Sequence, residues 1–260
     1  MARLVDFEEY DLKGRSLKLL RSGSRLPLVH ARVARAEQFE IPSFDGLTIQ
    51  AFLFTTNAPE ARGKAGTIIY IPPRTYQIRW NYDIQPQLIA NCGFNYVGIN
   101  YRGIDGFGTS FSRLYDPKLA AQDVITLTRR LIKDGTIDRR CLFLMSQSEG
   151  SAVMKEVLVQ APTLWTAGIF QGGVAWSSFE EFKPQLLPPL FITIGRNDPS
   201  YNFMREVERW AKKNDLPTKT HYLDNYGHFN ADSMKRMEQE KEIAQFLIET
   251  GFRKMPERKP

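Results

Sequence analysis

From Glu37 onward the chain is a succession of short apolar runs separated by turn residues and by longer segments of mixed polarity. The runs 39–44 and 47–54 are joined across Asp45-Gly46, a hairpin signal. Further β-type runs follow at 67–71, 95–99, 141–145, 166–170, 190–194 and 219–223, which makes eight. Between most of them the apolar spacing changes to a helical period, predicting helices over 83–91, 117–134, 149–160 and 202–213. A last helix is predicted over 231–248, with Met234, Met237, Ile243, Phe246 and Leu247 among charges. Strands that alternate with helices imply an α/β class, with a largely parallel eight-stranded sheet covered on both faces.

Three polar residues fall just past predicted strand ends, the edge where open α/β sheets place their sites. Ser148 follows the fifth run in Leu142-Phe143-Leu144-Met145-Ser146-Gln147-Ser148-Glu149-Gly150. An apolar strand feeding a tight turn and then a helix is the form of a nucleophile elbow. Here the pattern is Ser-x-Ser-x-Gly, with serine where glycine is usual. Asp198 follows the seventh run in Gly195-Arg196-Asn197-Asp198-Pro199, and His228 follows the eighth in Asn225-Tyr226-Gly227-His228. The order Ser, Asp, His is that of the α/β-hydrolases.

Each candidate has a plainer alternative. Ser148 before Glu149 would serve as a helix N-cap, a role for which Ser146 competes. Asn197-Asp198-Pro199 is also a turn former, and Asp215 and Asp224 are rivals that do not follow the seventh run. Of three histidines, His30 precedes the sheet and His221 lies within the eighth run, so only His228 occupies a loop beyond a strand end. A serine needs a base to become nucleophilic near neutral pH, and His228 is the choice. An oxyanion hole needs N–H donors. One is expected from Glu149 and the second from the loop Pro72-Pro73-Arg74-Thr75-Tyr76, whose prolines cannot donate. Arg74 N–H, Thr75 N–H or a hydroxyl of Tyr70 or Tyr76 remain for that task.

Composition narrows the classes. A chain of 260 residues with 42% hydrophobic and 12% aromatic residues supports one well-buried domain. The net charge of +6 is scattered apart from the N-terminal stretch and the basic tail 253–260, so it is read as solvated surface and no nucleic-acid partner is expected. Cys92 and Cys141 form no disulfide framework, which predicts a reduced, cytoplasmic protein. No signal peptide or membrane-length run stands out, and no membrane partner is expected. No metal cluster, phosphate-cradling loop or cofactor is expected either; Gly103, Gly106 and Gly108 are read as an active-site rim.

With these residues in view, the chain resembles the prolyl oligopeptidase family of serine peptidases, including its acylaminoacyl-peptidase and dipeptidyl-peptidase branches. The likeness is carried by residues 40–51, the Asn100-Tyr101-Arg102-Gly103-Ile104-Asp105-Gly106-Phe107-Gly108 loop, the Ser148 elbow, Gly195-Arg196-Asn197-Asp198 and Gly227-His228. It runs from about Arg35 to Phe252 and implies an α/β-hydrolase domain over 37–252 with Ser148, Asp198 and His228 as a catalytic triad. Pro72-Pro73-Arg74-Thr75 stands where that family carries a glycine-rich loop, Ser146 and Ser151 stand where glycines are usual, and the interval from Ser148 to Asp198 is short. The family's β-propeller is not found as a whole, and 1–36, with strand-like stretches around a turn at Gly14, is expected to be its remnant. The sequence therefore predicts an acyl-enzyme serine hydrolase acting on a peptide or small acyl substrate, foremost a peptidase. A small-ester carboxylesterase and a catalytically impaired binding module are the alternatives; an oligomer is compatible with the sequence.

Overall fold

The computed structural model describes residues 7–11, 16–21, 34, 36–56, 65–79, 84–173, 179–228 and 233–252. Strands β1 (Phe7–Asp11) and β2 (Ser16–Arg21) form a separate antiparallel pair. The expected turn at Gly14, His30 and the basic tail 253–260 lie outside the described residues.

The main sheet has eight strands: β3 (Ala36–Pro42), β4 (Thr48–Phe54), β5 (Thr67–Ile71), β6 (Asn95–Asn100), β7 (Leu142–Gln147), β8 (Ala167–Gln171), β9 (Leu190–Gly195) and β10 (Thr218–Leu223). Their spatial order is β10-β9-β8-β7-β5-β6-β4-β3. The β5–β10 strands pair in parallel, whereas β4 is antiparallel to both β3 and β6. This is the α/β-hydrolase fold anticipated from the chain. The hairpin differs in detail: β3 ends at Pro42, and Ser43 and Phe44 belong to the turn. Ser43 N–H closes on Leu47 O at 2.8 Å, and the Ser43 hydroxyl turns inward to donate to Asp123. That buried polar tie overrides the apolar pattern that extended the strand to Phe44, whose side chain is exposed.

The period of two in β5 splits the core. Ile69 and Ile71 face a layer made by α3 (Pro117–Lys133), α4 (Gly150–Gln160) and α5 (Tyr201–Lys213), packing with Val124, Leu127, Val153, Val157 and Val207. Ile68 and Tyr70 face the opposite layer of α1 (Ile84–Asn91) and α6 (Ser233–Phe252), packing with Ile89, Ile243, Phe246 and Leu247. A further α-helix among the described residues, α2 (Thr109–Ser112), is a single turn within the rim loop. Local signals explain the long α3. Pro117 opens it, the Asp116 carboxylate accepts from Lys118 N–H at 2.8 Å and Leu119 N–H at 3.0 Å, and Gly135 follows its end at φ 73°. Helix α6 departs from expectation at its start. Met237 is exposed, and the inward positions there hold Gln239 and Glu240 instead. Among the described residues no helix is long and apolar enough to cross a membrane.

Candidate active site

Ser148 sits between β7 and α4 with φ 50°, a left-handed conformation that a serine adopts at a cost. The turn is held from both sides: Ser148 N–H donates to Gln171 O at 3.1 Å, and Ser148 O accepts from Ser151 N–H at 2.9 Å. Gly150 explains why the turn can be so tight. A Cβ at that position would run into the Ile71 carbonyl oxygen and come within 2.8 Å of Pro72 O. Gly150→Ala is therefore expected to push the 71–75 loop away from the elbow and to lower any turnover at Ser148 by more than tenfold. Comparing kcat for the two proteins, with circular dichroism as a check on folding, tests this.

The Asp198 and His228 loops are laced together. Arg196 N–H donates to Leu223 O at 3.0 Å and Asn197 N–H donates to Tyr226 O at 2.9 Å. Gly195 permits the approach, because a Cβ there would collide with Tyr226 O. The consequence is a chain of contacts across three strand ends. Ser148 Oγ lies 2.7 Å from His228 Nε2, and His228 Nδ1 lies 2.8 Å from Asp198 Oδ2. Asp198 is buried, and its other carboxylate oxygen accepts from Ser200 N–H at 2.7 Å. In the tautomer that donates from Nδ1 to the Asp198 carboxylate, Nε2 is left to accept from Ser148. The plainer roles for the rivals follow from their places. Ser146 is fully buried, Asp215 ends α5 at φ 53°, Asp224 pairs with Arg196 at 2.6 Å, and His221 stays within β10.

The loop after β5 is fixed by its neighbours. Pro72 O accepts from the Tyr101 hydroxyl at 2.9 Å, and Arg74 O accepts from Asp105 N–H at 2.8 Å. Burial holds the Tyr101 hydroxyl well above its ordinary pKa, so it remains a donor. The Arg74 guanidinium lies 5.1 Å from the Tyr115 ring and 3.9 Å from the Glu149 carboxylate, a loose contact. Burial and then the nearby Glu149 charge push the Tyr115 hydroxyl up to about 12. The Tyr70 hydroxyl donates to Gln147 Oε1 at 2.8 Å and is engaged there; Tyr76 N–H donates to Pro73 O at 2.9 Å, and Tyr76 lines a cavity beside His228. Arg74 approaches the elbow through its contact with Glu149, and Thr75 lines the same cavity beside His228. This cavity, of about 610 Å³, adjoins His228, Asp198 and Thr75. Its glutamine lining escaped the sequence analysis, because glutamine at a strand end or within a helix forms no recognisable motif.

Arg102 anchors the glycine loop 103–108. Its guanidinium bonds Asp123 at 2.7 and 3.0 Å and Asp45 at 2.8 and 3.0 Å, with the Phe44 ring 4.6 Å from it. The Arg102 N–H also donates to Asp123 at 2.9 Å. Gly103 needs its φ of 82°, and the Tyr115 backbone leaves no room for a Cβ.

Residues 80–185 match the prolyl oligopeptidase family, a span that includes the 103–108 loop and Ser148 but ends before Asp198 and His228. No curated protein matches the chain by sequence. A puromycin-hydrolyzing peptidase of Mycobacterium tuberculosis is similar in structure at 17% identity and a TM-score of 0.79, over 96% of this chain and 45% of that one. An acylaminoacyl peptidase of Pyrococcus horikoshii gives 16% and 0.75 over 94% of this chain and 46% of its own. The Porphyromonas gingivalis dipeptidyl peptidase 4 gives 15% and 0.74 over 94% and 40%. This chain thus spans less than half the length of each. Residues 80–185 are similar to the prolyl oligopeptidase family, and the chain as a whole shares the α/β-hydrolase fold of these peptidases.

Proposed function

We propose that this protein is a serine hydrolase of the peptidase type that works through an acyl-enzyme on Ser148. The observation that carries the proposal is the continuous relay from Ser148 Oγ through His228 to Asp198, at 2.7 and 2.8 Å, with the serine on a left-handed turn. In this scheme Ser148 Oγ attacks the substrate carbonyl carbon while its proton passes to His228 Nε2. Asp198 keeps the ring oriented and stabilises the imidazolium. The oxyanion takes the Glu149 N–H and a second donor from Arg74 N–H or Thr75 N–H. The tetrahedral species then breaks its bond to the leaving amine, which departs with the proton from His228. Water repeats the sequence on the acyl-Ser148 ester and releases the acid.

A fluorophosphonate probe tests the assignment. It is expected to modify Ser148 stoichiometrically, with phosphonylation lost in Ser148→Ala; peptide mass spectrometry reads the site. Labelling at Ser146, or none in folded protein, would overturn it.

Ester hydrolysis stands as a second reading, favoured by one feature of the site. Pro72 and Pro73 supply no N–H, and the carbonyls of Ile71 and Pro72 face Gly150. A weaker oxyanion hole hampers amides more than esters, whose leaving group needs less assistance. Within this proposal the hydrolase domain is 37–252, preceded by a distinct N-terminal segment, 1–36. The alternation of strands and helices between Glu37 and Phe252, and the separate β1–β2 pair before it, support that division.

A further inference from the structure

The α1/α6 layer is apolar over most of its contact with the sheet and changes character at one end. Beneath His228, Gln85, Gln171, Gln239 and Glu240 are buried together, with Gln147 half-buried beside them. All five line the cavity of about 610 Å³ that adjoins His228, and the exposed Arg236 stands at its margin. The groups are organised. Gln85 Nε2 donates to Gln171 Oε1 and Glu240 Oε1, both at 2.9 Å, and Gln171 Nε2 reaches Glu240 Oε1 at 3.4 Å. Gln239 Nε2 donates to Thr193 Oγ1 at 3.1 Å and its Oε1 accepts from Tyr226 at 3.3 Å.

Holding α1 and α6 on the sheet does not require this. Apolar side chains do so a few residues away at Ile89, Ile243 and Leu247, without the cost of desolvating amides and a carboxylate. A polar lining at the margin of a reacting centre is how a site fixes the orientation of a polar group. We propose that this cavity is a substrate subsite for an uncharged hydrogen-bonding group, best matched by a carboxamide, on a residue flanking the bond that Ser148 attacks. The inference rests on the serine-hydrolase reading above and names the substrate class it selects.

Charge and capacity set that chemistry. Amides offer donors and acceptors together, so a carboxamide finds both partners it needs. A cation meets Arg236 at the margin and a Glu240 oxygen already receiving two N–H groups. An anion meets the carboxylates of Glu240 and Asp198. An apolar chain would strip water from the amides and return nothing, which is the stronger form of rejection.

Two measurements test the subsite independently of whether the enzyme turns over. The Ser148→Ala protein is titrated by NMR with the N-acetyl amides of glutamine, leucine, lysine and glutamate. The glutamine compound is expected to bind at least tenfold more tightly than the other three. Gln239→Leu and Gln147→Met, in the same background, should each reduce that ratio by fivefold or more; two sites on different elements guard against a fold defect in one. Wild-type kcat/KM is then measured on the p-nitrophenyl esters of the same N-acetyl amino acids. A matching preference places the side chain on the acyl side, whereas selective binding with unselective ester turnover places it on the leaving side. Equal binding of glutamine and leucine amides, or a preference that neither substitution alters, overturns the subsite while leaving the hydrolase intact. Selective binding with no ester turnover retains the subsite and removes the hydrolase reading.

Discussion

Replacing Ser148 by alanine, or His228 by alanine, is expected to lower kcat by roughly a thousandfold to a millionfold, and the double variant by little more than either. The near-equality is the informative part. Ser148 Oγ and His228 Nε2 share one proton across 2.7 Å, so losing either end removes the same step. Asp198→Asn should do less damage, about a hundredfold to ten-thousandfold. Its amide can present N–H towards Nδ1 and favour the tautomer that leaves Nε2 unable to accept from Ser148. Burst kinetics on a p-nitrophenyl ester separate the cases, because the burst reports acylation of Ser148. Additive losses in the double variant would mean the two residues do not act as a unit, and the relay would lose its proposed role.

The second large effect is on stability. Asp123 is fully buried and accepts from Arg102 through two side-chain bonds and one backbone N–H, besides the Ser43 hydroxyl. Asp123→Ala leaves the buried guanidinium with Asp45 alone, at the exposed end of the network, and breaking a buried pair in this way costs about 3–5 kcal/mol. For a chain of this length each kcal/mol shifts Tm by about 2–4 °C, so a fall of roughly 6–20 °C is expected by calorimetry. The pair variant Arg102→Met with Asp123→Leu should recover most of it, since apolar replacement of both partners removes the desolvation cost. A single variant that melts within a degree or two of wild type would show the pair to be solvated. Acid should weaken the outer arm of the same network. The Arg102 hydrogen bond holds the Asp45 carboxyl below its ordinary value. Its contribution is thus present above the unfolded carboxylate range and disappears as pH falls through the lowered folded value. Loss of Arg102 also reaches the site, because the loop it anchors carries Asp105, whose N–H holds Arg74 O.

How much of this was visible in the chain follows from the range of the forces involved. Strands β5–β10, buried on both faces, had to be short continuous apolar runs, and helices α3 and α5 had to carry a period near 3.6. These are local consequences of burial, and their bounds emerged within a residue or two of the pattern. The positions of Ser148, Asp198 and His228 past three strand ends were equally legible, since a parallel sheet brings such ends to one edge. Their mutual distances were not. Ser148 and His228 are 80 residues apart, and their contact depends on the strand order β7-β8-β9-β10 and on Gly195 admitting Tyr226 O. The hairpin boundary at Pro42 and the polar start of α6 turned on partners far along the chain, Asp123 for Ser43 and Gln85 for Glu240. Sequence by itself determined which residues must be buried and which strand ends carry chemistry, because those follow from local hydrophobicity and chain order. Only the tertiary structure decided how α1, α6 and the ends of β7 and β8 gather separate glutamines around one cavity. A hydrogen bond between residues far apart in the chain leaves no periodic trace in either segment.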